Sequence, residues 1–151
     1  MLGGDVYDLT RTGPLTVDEA NELVGVLNRV TQKYSTKVNS LIARLERIGA
    51  DDRAQTAEIE AEISKHIEEW NAQVRKLHGV PKGLWLVDLD AGDGYFCWKY
   101  PEAQINFWHD YKSGYASRVP LADRLRIVPR EREVIRTPSA SGNAEGGDLS
   151  I

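Results

Sequence analysis

The sequence predicts an α+β protein: a long antiparallel helical hairpin, coiled-coil-like, with a small three-stranded antiparallel sheet at one end. Three observations carry this. Between Thr16 and Leu77, apolar residues recur at steps of three and four, which keeps one stripe on one side of a helix. A polar break, Gly49-Ala50-Asp51-Asp52-Arg53, splits that stretch in two. From Leu84 to His109 the helical period gives way to short aromatic and aliphatic runs separated by Gly, Asp and Pro.

Thr16 followed by Glu19 is a capping box: the hydroxyl accepts a first-turn backbone N–H and the carboxylate reaches back to the cap. Asp18 and Glu19 also suit the positive end of the helix dipole. The stripe of the first helix is Leu23, Leu27, Val30, Tyr34, Val38, Leu41, Leu45 and Ile48, and Gly49 ends it. The second helix spans roughly 54–78, with Ile59, Ile63, His66 or Ile67, Trp70, Val74 and Leu77 as its stripe, ended by Gly79 and Pro81. So short a link makes the two helices antiparallel neighbours. At the helical rise the first is about 48 Å long. Two such helices do not cover both seams with each other alone, so a homodimer forming a four-helix bundle is expected.

The strands expected next are Leu84–Leu89, Tyr95–Lys99 and Gln104–His109, joined by a turn-rich loop at 90–94 and a turn at 100–103 that contains Pro101. Ser113-Gly114-Tyr115 is a turn and residues 118–121 are extended. Residues 122–136 add a short strand or wrap a neighbour. Residues 137–151 are Gly- and Ser-rich with almost nothing to bury, and are expected to be disordered. The division is therefore an extension over 1–13, one domain over 14–121 and a tail over 122–151.

The bulk chemistry excludes several classes. The 151 residues carry a net charge of -4, and this mild acidity argues against a nucleic-acid binder, which would need a basic face to replace counterions. No run of 18 apolar residues exists to cross a membrane. The N-terminus has neither the basic nor the apolar region of a secretory signal. A single Cys forms no internal disulfide, which suits the cytoplasm.

The candidate functional residues cluster between Tyr95 and Asp110. A four-residue turn would set Lys99 opposite Gln104, Trp98 opposite Ile105 and Phe96 opposite Phe107, with Asp88 opposite Phe96. Asp88 and His109 then share a face with Phe96, while Tyr95, Cys97, Asn106 and Trp108 take the other. A slip of one residue instead brings Cys97 to His109. His109 reads either as a metal ligand or general base oriented by Asp88 or Glu102, or as an imidazole satisfied at the core edge. Cys97 reads as a thiolate ligand or nucleophile, or as a small buried hydrophobe. Glu62, His66 and Glu69, at steps of four and three, form a second candidate metal set on one helical face. His78 complements a helix C-terminus. Arg118 pairs with Glu102.

The opening LTVDEANELV, LVDLD at 86–90, Cys97-Trp98, Glu102, Phe107-Trp108-His109 and GYASRVPL at 114–121 resemble a family of uncharacterised bacterial and archaeal proteins, domain of unknown function 2203. The resemblance runs from Leu15 to Leu121. Pro101 stands where that family has Gly, and LVDLD replaces its LVDFP. The resemblance implies a fold and no activity, and marks Asp88, Glu102, Trp108, His109 and Arg118 as the positions of interest.

Two functions follow. The first is a dimeric interaction or scaffold module whose binding surface on the sheet comprises Asp88, Trp98, Glu102, Trp108, His109 and Arg118, for a protein partner. The second is a protein or enzyme that binds a divalent metal through His109 with Asp88 or Glu102. The sequence names no reaction.

Overall fold

Thr16 caps the first helix, α1 (Val17–Ile48), as its sequence demands: Glu19 N donates to Thr16 Oγ1 at 3.1 Å and Thr16 N donates to Glu19 Oε1 at 2.9 Å. In this computed structural model, residues 13–49 and 51–127 are described. The expected extension and the expected disordered tail fall outside them, apart from Gly13. Asp52 caps α2 (Arg53–Lys76) by accepting from Gln55 N at 3.0 Å.

The end of α2 divides its work differently from the sequence reading. His78, not Gly79, takes the left-handed position, with φ 64°. His78 N donates to Arg75 O and Gly79 N donates to Val74 O, which closes the last turn as a Schellman motif. Gly79 is needed for close approach: a Cβ there would lie 2.8 Å from Val87 Cγ1 and 3.0 Å from Val74 Cγ1. That is where α2 meets the sheet.

The sheet has five antiparallel strands in sequence order, which corrects the expected three: β1 (Val80–Gly83), β2 (Leu86–Asp90), β3 (Tyr95–Lys99), β4 (Phe107–His109) and β5 (Val119–Pro120). The two strands the sequence concealed are the edges. Pro81, a bulge between Pro81 and Gly83, and the two-residue length of β5 with Pro120 disguise them. The expected third strand shortens because Gln104–Asn106 leave the sheet to meet α1, where Ile105 N donates to Asn21 Oδ1 at 2.7 Å. Residues Leu121–Ile127 form a short helix, α3, where a strand or wrapping segment was expected.

The register also moves by one residue from the expected one. Phe96 pairs with Trp108 and Tyr95 with His109, while Asp88 pairs with Cys97 and Val87 with Trp98. This places Val87, Leu89, Phe96, Trp98 and Trp108 together, all at most 1% exposed, in one core with Leu23, Leu27, Trp70 and Val74 of the helices. Each large apolar side chain buried in this way contributes about 1.5–3 kcal/mol. The expected register would have put Asp88 in that core and Trp108 outside it, so the observed one wins by several such contributions.

The fold is thus α+β, two long helices followed by a five-stranded sheet. The helices touch where Trp70 Nε1 donates to Thr31 Oγ1 at 2.9 Å and where the Tyr34 and His66 rings lie 6.3 Å apart. Trp70 also meets Trp85 edge to face at 5.0 Å, which joins the helices to the start of β2.

Candidate metal centre

Because strand side chains alternate, the register that sends Val87, Phe96, Trp98 and Trp108 to the helices sends Asp88, Cys97 and His109 to the opposite face. They come from three neighbouring strands, β2, β3 and β4. All three are buried, at 2%, 1% and 2% exposure. One donor atom from each lies within 4.8 Å of the other two.

Hydrogen bonding fixes the His109 ring. Its Nδ1 lies 2.9 Å from the carbonyl oxygen of Asp110. A carbonyl only accepts, so Nδ1 carries a proton and donates it. Nε2 is then left facing Asp88 Oδ1 at 3.1 Å. A ring lone pair and a carboxylate oxygen repel at that distance, so a proton or a cation belongs between them. A metal-bound imidazole is ordinarily held in this way, with its other N–H on a carbonyl or carboxylate. Tetrahedral donors at zinc distances stand roughly 3.3 Å apart, close to the separation here.

The same geometry counts against a Cys-His-Asp nucleophile. A general base needs one ring nitrogen for the thiol and the other for the carboxylate. Here the carboxylate is on Nε2 and Nδ1 already donates to a carbonyl. Burial first, and then the Asp88 carboxylate, pushes the Cys97 thiol up to about 12, so it stays protonated at neutral pH without a cation beside it.

The remaining candidates fall elsewhere. Glu102, expected as an alternative carboxylate for His109, instead holds Arg118 through two contacts, Nη2 to Oε2 at 2.8 Å and Nη1 to Oε1 at 3.2 Å, and accepts from Lys99 N. This is the expected ion pair. Burial opposes the charge on Arg118, but the Glu102 hydrogen bonds and charge outweigh it and hold its pKa above the ordinary value. Arg118 also donates from Nη1 to Cys97 O at 3.2 Å and stacks on Phe107, with its guanidinium carbon 3.9 Å from the ring centre. Trp98 and Trp108, expected in a binding surface, lie buried in the core at 0% and 1% exposure. Their indole N–H groups donate to Glu102 O and Asp93 Oδ1.

Glu62, His66 and Glu69 do not converge as a metal set. Glu69 lies at His66 Nδ1 and Glu62 at Nε2, 3.4 and 4.0 Å away, so the two carboxylates sit on opposite sides of the ring. Asp93 is a centre the sequence reading missed. It holds Arg124 of α3 with two contacts of 2.9 Å while accepting from Trp108.

Residues 15–121, more than half of the chain, match the model of a family described as an uncharacterised conserved protein, DUF2203. The chain belongs to the DUF2203 family. All three residues of the centre lie within the matched segment of this DUF2203 chain. No match was found among curated proteins or solved structures.

Proposed function

We propose that this DUF2203 chain is a metal-binding protein that holds a divalent transition metal, zinc foremost, on Asp88, Cys97 and His109. The observation that carries the reading is the orientation of His109: its Nδ1 proton is committed to the Asp110 carbonyl and its Nε2 faces a carboxylate oxygen at 3.1 Å. One thiolate, one imidazole and one carboxylate form a borderline-soft donor set that suits zinc, or iron or cobalt in its place, better than magnesium or calcium. The metal's charge would take the proton from the buried thiol, as binding at such sites does.

A metal here would tie β2, β3 and β4 together. Three protein donors leave a fourth position for water or another ligand. With donors at most 2% exposed, that position has little access to solvent, which favours a role in holding the sheet. Cobalt titration of the untagged protein tests this. The expected result is uptake of one ion per chain with a thiolate-to-cobalt charge-transfer band. Cys97→Ser removes the band, His109→Ala removes uptake, and His66→Ala leaves both intact. Absence of uptake, or uptake that survives His109→Ala and fails in His66→Ala, contradicts the reading.

A further inference from the structure

We propose that a second copy of this chain docks on the helices, with the basic side of α1 in each copy lying against the acidic side of α2 in the other. On α1, Arg29, Lys33, Lys37, Arg44 and Arg47 follow steps of four, four, seven and three, so they share one helical face, and all are exposed. Half-buried Val26 and Val30 continue that face. On α2, Glu58, Glu62 and Glu69 follow steps of four and seven and share a face as well, on which exposed Lys65 also falls, so acids outnumber bases there by three to one between Glu58 and Glu69.

Both stripes lie on the same side of the helix pair. Lys33 and Lys37 stand over the Tyr34 ring at 5.2 and 5.7 Å, Glu62 and Glu69 flank His66, and Tyr34 and His66 touch each other. Yet among the described residues no ion pair within 4.0 Å joins the charges of one stripe to those of the other. The complementary charges of one chain are therefore available to another.

Their levels match a two-fold arrangement. Thr31 meets Trp70 and Tyr34 meets His66. On that scale Arg29 and Lys33 stand level with Glu69, Lys37 with Glu62, and Arg44 with Glu58. A two-fold axis parallel to the helices keeps every level and sets α1 against α2 of the second copy, so each pairing occurs twice. An interface of this kind is guided by charge and weakens with salt.

Light scattering at micromolar concentration tests the arrangement. At low salt the mass is expected to be about twice the chain's 16.9 kDa. It should return to that of one chain at about 1 M salt, where the screening length is about 3 Å. Lys33→Glu with Lys37→Glu should be monomeric at low salt, as should Glu62→Lys with Glu69→Lys, while a mixture of the two variants should regain the doubled mass. These positions are exposed or half-buried, so circular dichroism should show both variants folded. A single-chain mass at low salt, a dimer indifferent to either reversal, or a mixture that stays monomeric would overturn the proposal. None of these outcomes depends on whether a metal is bound.

Discussion

Individual residues here are placed by what surrounds them more than by their own preferences. Gly79 sits where α2 presses on β2, so Gly79→Ala should cost about 1–3 kcal/mol by overpacking against Val74 and Val87. Its neighbour His78 bears the left-handed φ, so His78→Gly should be neutral or stabilise by up to about 1 kcal/mol. Urea denaturation of the pair separates the two roles, and the reverse order of stabilities would show that they are misassigned. Thr31, fully buried in α1, accepts the Trp70 indole N–H, and Thr31→Val should cost about 1–3 kcal/mol by leaving that donor unpaired. Cys97 follows the same logic in chemistry. With its thiol pushed up to about 12 by burial and by Asp88, metal-free folded protein should be alkylated at neutral pH far more slowly than protein unfolded in urea. Equal rates in the two states would mean that the thiol is both accessible and as readily ionised in the fold as in the unfolded chain.

At the scale of elements, the helices were legible and the sheet only partly so. The capping box at Thr16 and the three-four spacing of α1 act through local geometry, and they place its two ends correctly. The edge strands β1 and β5 were not legible, because two to four residues containing Pro and Gly carry no period. Register was decided across strands, by the requirement that Phe96, Trp98 and Trp108 share the core face. That requirement was present in the sequence, and placing the largest aromatics on one side would have found the observed pairing. The same step would have turned Cys97 toward His109. Asp88 and His109 share a face in both the expected and the observed register, because both hairpins shift by one residue. Asn21 holds the loop 104–106 from α1 through a single 2.7 Å bond, so Asn21→Ala should cost about 1–3 kcal/mol. The loss should appear first as faster hydrogen exchange at Ile105, and unchanged exchange there would show that the bond does not hold the loop.

For the whole molecule, one face of the sheet and the facing sides of α1 and α2 build a single core, and the other face gathers an acid, a thiol and an imidazole under cover. The first arrangement accounts for folding. The second places three metal-ligand types from successive strands within 4.8 Å, behind an Arg118–Glu102 pair that fixes the backbone of Cys97. A metal seated there links stability to metal concentration. At a free metal level about a hundred times the dissociation constant, the gain is about 2.7 kcal/mol, so chelation should lower the melting temperature measurably. The most direct measurement is elemental analysis of the untagged protein after dialysis against metal-free buffer and reloading with zinc. The account predicts about one zinc per chain, falling to none in His109→Ala; a parent protein that retains no zinc after reloading would contradict it.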